Sequence, residues 1–428
     1  MDRYSKSIKH LARAEQTIPL GSQTFSKSRT QYPVGISPLY TVKAKGAEIW
    51  DLDGNRYIDL VSALASITLG YGDKDVEKAV KKQLKLGVNM SLPGILEAEV
   101  AELIVEMVPS AEMVRFGKNG SDATSAAIRL ARAFTGRDHI IVCGYHGWQD
   151  WYIGSTTRNK GVPSSISALT HKFEYNNIES LKSVLDQHTG NVAAVIMEPM
   201  NSVSPIPGFL ESVQQITRDA GALLIFDETI TGFRFAKGGA QELFGIKPDL
   251  STFGKGMANG FPISAVVGRR DVMMEMEEIF FSGTFGGELL SLAAAKVVLN
   301  KQLNEDVCGQ LASIGSNLRQ KLDQVIAQNA LSTVLKFSGH PSWIFLNWKQ
   351  TDSYSIEVLK TYFMQEMFKK GVLVLNTHNV SLGLNQKLCG EVLEKYGSVL
   401  ALMAQHISEN TLLDNLQVKP LNPLFRIR

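Results

Sequence analysis

Short apolar runs separated by helical segments constrain the fold of this chain more than any other feature. The runs begin at about residue 112 and lack polar–apolar alternation, which is typical of strands that helices cover on both faces. They are Met113–Phe116, Ile140–Cys143, Val192–Met197 and Leu223–Phe226. The helical segments lie around residues 123–135, 177–187 and 209–220. This order predicts an α/β fold with a mostly parallel central sheet flanked by helices, whose chemistry gathers where the strands end.

The segments on either side of this region have a different pattern. Near the N-terminus, the strand-like runs Leu39–Lys43 and Ala47–Trp50 precede a turn signal. After a long helix predicted around residues 287–303, helices mix with a few short strands, such as residues 332–337. A chain of 428 residues is also long for one hydrophobic core. We therefore expect a large domain of residues 61–305 and a smaller α+β domain of residues 306–428. The N-terminal segment, residues 1–60, should join the smaller domain.

Composition excludes several classes of protein. A net charge of +2 gives no reason to expect nucleic acid as a partner, and no run approaches the length of apolar sequence that spans a membrane. The three cysteines are far apart, and the N-terminus lacks the apolar core of a signal peptide. The eight histidines are scattered without a ligand-like cluster, so no metal site is predicted. These observations favour a cytoplasmic protein.

Two polar residues at the ends of apolar runs indicate a specific chemistry. Asp227 ends the run that begins at Leu223, and Lys255 lies between two glycines after the apolar stretch that begins at Leu250. A lysine amine can form a Schiff base with the aldehyde of pyridoxal 5'-phosphate (PLP), and a buried acid can keep the ring nitrogen of PLP protonated. Either residue alone is weak support, because lysines are common in glycine loops and acids often end strands. Together they predict PLP chemistry with Lys255 and Asp227 as catalytic residues.

A glycine-bearing turn that becomes a helix is the predicted phosphate site. Backbone N–H groups at a helix N-terminus, together with the helix dipole, favour a bound anion. Gly120 and Ser121 begin this helix, and either Ser121 or Asp122 can cap it. An ordinary capped helix explains the pattern as well. Because an inward carboxylate would repel phosphate, we expect Gly120 and Ser121 to face the anion and Asp122 to cap the helix or turn away.

Four further residues complete the predicted site. Tyr145 can stack on a flat heteroaromatic ring, although a core aromatic residue is an alternative interpretation. For His146 a structural role is the simpler interpretation. Glu198 ends a buried run and should lie at the same edge of the sheet as Asp227, unless it is a surface acid. Thr284 precedes a long helix and could donate to phosphate, or it is an ordinary loop residue.

The motifs in this chain occur in the order seen in one enzyme family. They are Lys-Asn-Gly-Ser-Asp-Ala-Thr, Tyr-His-Gly, Met-Glu-Pro, Phe-Asp-Glu-Thr-Ile-Thr-Gly-Phe-Arg, Thr-Phe-Gly-Lys-Gly and Gly-Thr-Phe-Gly-Gly. From about residue 5 to 300 the chain resembles class III PLP-dependent aminotransferases of fold type I. Within that family it is most similar to the glutamate-1-semialdehyde 2,1-aminomutase branch.

The resemblance implies a role for each matching residue. Lys255 would be the Schiff-base lysine and Asp227 the partner of the pyridine nitrogen. Tyr145 would cover the ring, and Gly120 and Ser121 would hold the phosphate. Thr229 would lie under the ring, where the family usually has valine or isoleucine. Thr284 would reach the phosphate of a neighbouring subunit, so the resemblance implies a homodimer with shared active sites.

Departures from the aminomutase pattern fall on the side where substrate is expected. The aminomutase usually carries Gly-Ser-Trp-Gly-Pro where this chain has Val61–Ser66, and Trp148–Gly154 replaces the start of its mobile lid. We therefore expect an aminotransferase that moves an amino group from a donor such as glutamate to a carbonyl acceptor. The alternatives are an intramolecular aminomutase and a cofactor-binding regulator. Arg234 and Arg29 are candidates for binding a substrate carboxylate, and each has a structural alternative.

Overall fold

The computed structural model describes residues 3–421 of the chain, which form two compact units. The first unit comprises residues 3–64, 69–72 and 310–421, and the second comprises residues 65–68 and 73–309. The chain thus passes between units after residues 64 and 309, where the sequence-based boundaries are residues 60 and 305. In addition, residues 69–72 return to the first unit.

The strands of residues 3–421 are numbered in chain order, and the helices are named by their residue ranges. The strands are β1 (Thr41–Lys45), β2 (Glu48–Asp51), β3 (Arg56–Asp59), β4 (Met113–Gly117), β5 (His139–Cys143), β6 (Thr170–Lys172), β7 (Val192–Met197), β8 (Leu223–Asp227), β9 (Leu250–Phe253), β10 (Ser264–Gly268), β11 (Leu335–His340), β12 (Trp343–Trp348), β13 (Val372–Leu373) and β14 (Thr377–Asn379). The α-helices of eight or more residues are Ser5–Ala14, Lys74–Leu84, Ile95–Met107, Gly120–Thr135, Ile178–Gln187, Phe209–Asp219, Leu289–Asn304, Val307–Gln328, Ile356–Lys369 and Gln386–Ser408.

The second unit contains a seven-stranded sheet in the order β4-β10-β9-β8-β7-β5-β6. The pairs β5–β6, β5–β7, β7–β8 and β8–β9 are parallel, whereas β10 runs antiparallel to both β9 and β4. Because parallel strands end at the same edge, β5, β7, β8 and β9 bring their carboxyl ends together. The predicted α/β class with a mostly parallel sheet is confirmed.

Helices cover both faces of this sheet, which explains why the strands lack alternation. In β7, Ile196 packs in a core with Leu130 of the helix Gly120–Thr135. The next residue, Met197, faces the opposite core, which includes Leu181 and Val213 of two other helices. Successive side chains of a strand point to opposite faces, so a strand buried on both sides must be apolar throughout. Burial of each such side chain contributes about 1.5–3 kcal/mol.

The first unit contains two smaller sheets and joins the N-terminal segment to the C-terminal region. One sheet has the order β1-β2-β3-β13, in which β3 from the N-terminal segment pairs in parallel with β13 from the C-terminal region. The other has the order β11-β12-β14 and is antiparallel. Sheets and helices together give the smaller α+β domain that the sequence predicts from the N- and C-terminal segments.

Several sequence-based details are wrong. The strand predicted at residues 332–337 is β11, Leu335–His340, because residues 332–334 form a turn. The short strands β6 and β10 were not predicted at all. The N-cap of the helix that follows β4 is Asn119, whose side chain accepts from the N–H of Asp122, and not Ser121; Asp122 completes the capping box by accepting from the N–H of Asn119. Among the described residues, no helix is both long and apolar enough to cross a membrane.

Candidate active site

The carboxyl ends of four neighbouring parallel strands carry the predicted site residues. Gly144–His146 follows β5, Glu198 follows β7, Asp227 ends β8 and Lys255 follows β9 by two residues. Each polar residue lies where its buried strand ends, so the ends of the strands determine the positions of the site residues. The resulting edge is the place where ligands bind in open α/β sheets.

Asp227 is buried and fully engaged by hydrogen bonds. Its Oδ1 accepts from the N–H of Thr229 at 3.1 Å, from the Thr229 hydroxyl at 2.6 Å and from the Thr252 hydroxyl at 3.1 Å. Its Oδ2 lies 2.9 Å from Nδ1 of His146. Burial alone would raise the pKa of Asp227, but the hydrogen bonds from His146 and Thr229 outweigh it and hold the pKa below its usual value. The carboxyl is therefore an anion at neutral pH.

His146 orients Asp227 and retains one free ring nitrogen. Because an ionised carboxylate only accepts, the proton of this hydrogen bond belongs to Nδ1 of the imidazole. Its Nε2 is buried and has no hydrogen-bond partner among residues 3–421. The ring lies parallel to that of Trp151 and edge-on to that of Tyr152. The geometry thus favours the structural interpretation of His146, acting on the anion beside it.

Lys255 places an amine close to two carboxylates. Desolvation by the surrounding protein lowers the pKa of Lys255, and the charges of Glu198 and Asp227 offset this only in part. Although the residue keeps some exposed surface, protein atoms enclose it closely enough for desolvation to be the larger effect. Its backbone has φ 41°, in the left-handed region that residues other than glycine rarely adopt. Such strain is most common where a side chain must be aimed at a ligand.

Glu198 lies at the same edge, as predicted from the end of β7. One carboxylate oxygen, Oε2, accepts from the N–H of Tyr145 at 3.0 Å, so Glu198 ties the end of β7 to the loop after β5. Burial and the nearby charge of Asp227 raise the pKa of Glu198, while His146 and Lys255 oppose the shift. It is therefore not a surface acid, and it is easier to protonate than Asp227.

The start of the helix Gly120–Thr135 lies close to the end of β8. A Cβ at Gly120 would lie 2.9 Å from the Thr229 methyl carbon, so only glycine allows this helix to approach the end of β8 so closely. The carboxylate of Asp122 turns back to accept from the N–H groups of Lys118 and Asn119, at 2.9 and 3.0 Å. The expectation that Asp122 turns away is confirmed, and the first N–H groups have no intrahelical carbonyl to bind.

Ser121 contacts the loop that carries Tyr145 and His146. Its Oγ accepts from the N–H of Trp148 at 3.3 Å, and a Cβ at Gly147 would lie 2.3 Å from this same oxygen. Gly147 also has φ 105°, a conformation that other residues rarely adopt. The loop and the helix N-terminus therefore close on each other without an intervening side chain.

Tyr145 is exposed and Thr229 is partly buried. The Tyr145 ring is 46% exposed and packs edge-on against Tyr152, so it is not a core aromatic residue. Thr229 contacts Gly120 through its methyl group and Asp227 through its hydroxyl. A flat ligand held by Asp227 would meet Thr229 and could be covered by Tyr145.

Two residues of this edge were missed by sequence reasoning. Thr252 donates to Asp227 because the two residues are paired in register between β9 and β8. Its position three residues before Lys255 was the available signal. Ser264 begins β10, and its Oγ is buried without a partner among the described residues. Nothing in its local sequence distinguishes Ser264 from an ordinary strand serine.

Three other candidates lie outside this cluster or have structural partners. Thr284 is exposed, its carbonyl accepts from Asn89, and within the described residues it has no hydrogen bond to the other predicted site residues. Arg234 is fully buried and donates to the carbonyl of Ala65, and burial lowers its pKa to about 10. Arg29 is paired with Glu15 at 2.5 Å. The two arginines thus have structural roles in this conformation.

This donor set fits PLP. The anion at Asp227 suits a protonated ring nitrogen, the amine of Lys255 suits an aldehyde, and the first turn at Gly120 and Ser121 suits a phosphate. The buried, unpartnered Nε2 of His146 and Oγ of Ser264 leave further polar capacity at this edge. The observed chemistry therefore agrees with the group that the sequence predicts.

Comparison with known proteins identifies the family. A family profile described as aminotransferase class-III matches residues 31–391. The chain is 36% identical over 376 residues to glutamate-1-semialdehyde 2,1-aminomutase of Syntrophobacter fumaroxidans, covering 81% of this chain and 86% of that protein. It is 31% identical over 385 residues to 3-aminobutyryl-CoA aminotransferase of Cloacimonas acidaminovorans, covering 88% and 92% respectively.

Solved structures agree with this assignment. The PLP form of the FumI protein from Sphingopyxis sp. MTA144 superposes with a TM-score of 0.88 at 30% identity, covering 94% of this chain and 98% of that one. An omega-transaminase from Sphaerobacter thermophilus gives a TM-score of 0.85 at 26% identity, with coverages of 95% and 100%. The chain belongs to the class III aminotransferases, a family of PLP-dependent enzymes with the type I fold.

Proposed function

We propose that this protein is an aminotransferase that moves an amino group from an amino acid donor, such as glutamate, to a carbonyl acceptor. The observation that carries the proposal is a neutral amine and a carboxylate anion at one edge of the sheet, each favoured by a lowered pKa. The pKa of Lys255 is lowered, which favours a neutral nucleophile, and the pKa of Asp227 is lowered, which favours an anion. Amine transfer needs both states at once.

PLP, when bound, supplies an aldehyde for the amino group and a ring that accepts electrons. We propose that Lys255 holds the cofactor covalently and, once displaced by a donor amine, uses its neutral Nζ to move a proton at the substrate carbon. Asp227, held as an anion by His146 and Thr229, keeps the proton on the ring nitrogen. Glu198 positions the loop of Tyr145 through its hydrogen bond to that backbone.

The binding roles are proposed on the same geometry. Gly120 and Ser121 would receive the phosphate at the helix N-terminus, where Asp122 is turned away. The exposed Tyr145 would cover one face of the cofactor, and Thr229, which is bonded to Asp227, would lie under the ring. Each role concerns contact with the cofactor, so all of them change PLP affinity when altered.

We further propose a cytoplasmic homodimer in which Thr284 of one subunit reaches the phosphate site of the other. Large apolar side chains are exposed in two segments of the second unit, at Leu84, Leu86, Met90, Leu92 and Ile95 and at Phe280 and Phe285. Asn89 and Thr284, which belong to these segments, are joined by a hydrogen bond. Leu92 and Phe280 are 79% and 82% exposed, which is unusual for a surface that stays free. Sedimentation velocity tests this: a monomer at micromolar concentration would contradict it.

Intramolecular amine migration is the second candidate. It is favoured by relatives at 36% and 34% identity that are named glutamate-1-semialdehyde 2,1-aminomutase. The departures at Val61–Ser66 and Trp148–Gly154 favour a different substrate. Transfer remains the proposal because these changes affect the substrate side and leave Lys255 and Asp227 in place.

A half-reaction experiment separates the two. The PLP-loaded protein is mixed with single amino acids, amines and amino sugars, the cofactor absorbance is followed, and the released product is identified. A transferase converts to the aminated cofactor and releases a keto acid from a donor such as glutamate. A mutase turns over its one substrate without releasing a keto acid and without needing a donor. The Lys255→Ala variant serves as the inactive control.

A further inference from the structure

We propose that His139, His171 and His188 form a binding site for one divalent transition-metal ion, with Zn²⁺ as the simplest candidate. One nitrogen from each of the three rings lies within 4.8 Å of the others. The sequence analysis predicted no ligand-like histidine cluster, and this expectation is wrong. The three residues are distant in the sequence and follow none of the ligand spacings of known zinc motifs.

Two of the three residues lie in strands, and the third caps a helix. His139 begins β5, and His171 of β6 is paired in register with Ile141, so both imidazoles leave the same face of the sheet. His188 directly follows the helix that covers this face. Its carbonyl accepts from the N–H of Asn191, whose own carbonyl accepts from the N–H of His139, each at 3.0 Å. Ligands held by strands and helices are better positioned than ligands on free loops.

The side chains are already in contact. Nδ1 of His139 lies 2.7 Å from Nε2 of His171, and the rings of His171 and His188 stack with centroids 3.8 Å apart. The nitrogen–nitrogen contact between His139 and His171 is a hydrogen bond in which one ring nitrogen donates and the other accepts. The accepting ring thus has the lone pair that a metal needs.

The donor set selects the class of ion. Three imidazole nitrogens suit Zn²⁺, Cu²⁺, Ni²⁺ or Co²⁺, whereas Mg²⁺ and Ca²⁺ prefer oxygen. With metal–nitrogen distances of about 2.0–2.1 Å in a tetrahedral site, ligand nitrogens lie about 3.3 Å apart. His139 and His171 must therefore splay slightly from their present contact. All three residues are partly exposed, so solvent can deliver the ion and supply a fourth ligand.

The cluster lies away from the candidate active site and would act on structure. β5 begins at His139 and ends at Cys143, so the length of the strand, about 13 Å, separates the cluster from the edge that carries Tyr145. β6 is a three-residue strand at the edge of the sheet. An ion bound by these residues would join β6 to β5 and to the end of the helix Ile178–Gln187.

Direct metal titration of the PLP-loaded protein tests the proposal. Calorimetry with Zn²⁺ should give one site per chain with micromolar or tighter affinity, and Co²⁺ should give the visible absorption of a nitrogen-ligated ion. Zn²⁺ should also raise the melting temperature. His171→Gln and His188→Gln should each weaken Zn²⁺ binding by at least about tenfold and remove the thermal shift. The control His10→Gln, on the N-terminal helix, should bind as the original protein does.

Two results would overturn the proposal. One is the absence of a site with micromolar affinity in the unaltered protein, and the other is binding that both His171→Gln and His188→Gln leave unchanged. X-ray absorption of the Zn²⁺-loaded original protein counts nitrogen ligands without any substitution. Three imidazoles at one zinc support the site even if a variant fails to fold, and fewer than three contradict it.

Discussion

Nδ1 of His146 donates a hydrogen bond to Oδ2 of Asp227 across 2.9 Å, while Nε2 of the same ring is buried without a partner among residues 3–421. Among residues 3–421, the carboxylate of Asp227 is thus the only hydrogen-bond partner of this imidazole. Together with Thr229 and Thr252, it gives Asp227 four hydrogen bonds in a site from which solvent is nearly excluded. The anionic state of Asp227 is therefore a property of its surroundings and can be altered one donor at a time.

The substitution His146→Phe should weaken PLP binding and lower stability. It keeps a ring beside Trp151 and removes the donor, so the pKa of Asp227 should rise. Loss of a hydrogen bond to a buried charge should cost about 1.5–3 kcal/mol. Because the pKa of Asp227 is depressed in the fold, its contribution to stability is present above the ordinary value of 3.8 and is lost as the pH falls through the lower folded pKa. The variant should lose part of that contribution at neutral pH.

Denaturant unfolding and PLP titration of the same samples measure both effects. A matched control is His378→Phe, which removes another buried imidazole, bonded to the hydroxyl of Tyr396 in the first unit. The control should lose stability and keep its PLP affinity. Equal loss of PLP affinity in the two variants would contradict a specific role for His146.

Lys255 should capture PLP at lower pH than an ordinary lysine does. Its desolvated amine has a pKa below 10.5, so its neutral fraction at a given pH exceeds that of an exposed lysine. The rate of PLP attachment to the cofactor-free protein should rise with pH and reach half of its limiting value below pH 10.5. Lys255→Ala should abolish attachment, and Lys237→Ala, which alters an exposed lysine, should not.

Borohydride reduction followed by peptide mapping identifies the modified residue at each pH. A reduced adduct on any residue other than Lys255, or a rate that reaches half of its limiting value only at or above pH 10.5, would show that the site does not activate this amine.

The positions of Asp227 and Glu198 could be predicted because each follows an uninterrupted apolar run, and that of Lys255 because it follows the strand-like stretch that begins at Leu250. Such runs must be strands covered on both faces, and parallel strands end at one edge, so three distant residues could be brought together without coordinates. The phosphate site could be predicted for the same kind of reason, since Gly120 and Ser121 open a strong helix.

Contacts that depend on register could not be predicted. Thr252 donates to Asp227 only because β9 and β8 pair with those two residues opposite each other. The three clustered histidines meet because His171 lies opposite Ile141, a relation that no local pattern encodes. The strand β10 could not be predicted because Ser264–Gly268 is short and its small residues fit a loop as well as a strand. The antiparallel β10 also breaks the alternation of strand and helix on which the prediction depended.

Gly147→Ala should impair PLP binding more than an equally strained glycine substitution elsewhere. Gly147 has φ 105°, and an added Cβ would lie 2.3 Å from Ser121 Oγ, so the loop must move away from the helix N-terminus. Gly161 has φ 90° and no atom within 4 Å of an added Cβ. Both alanine variants therefore carry backbone strain, and only one carries the clash. We expect Gly147→Ala to lose a further 1–3 kcal/mol or so of stability and much of its affinity for PLP.

Equilibrium unfolding and PLP titration of the two variants give the comparison. If Gly161→Ala matches Gly147→Ala in both measurements, backbone strain alone explains the effect, and the contact with Ser121 affects neither stability nor PLP affinity.

Thr229 contributes a hydroxyl and a methyl group, and the two should have separable effects. Thr229→Val removes the 2.6 Å hydrogen bond to Asp227 and keeps the contact with Gly120. Its cost should be about 0.5–1.5 kcal/mol, with a modest rise in the pKa of Asp227, because the N–H of residue 229, Thr252 and His146 still donate. Thr229→Ser keeps the hydroxyl and opens a small gap beside Gly120. The absorbance of the PLP-loaded protein as a function of pH reports the proton on the linkage between Lys255 and PLP, which the charge of the ring nitrogen influences. The valine variant should shift this titration and the serine variant should not, since only the hydroxyl acts on the carboxylate. A shift in Thr229→Ser with none in Thr229→Val would mean that packing, rather than the hydrogen bond, controls the ring.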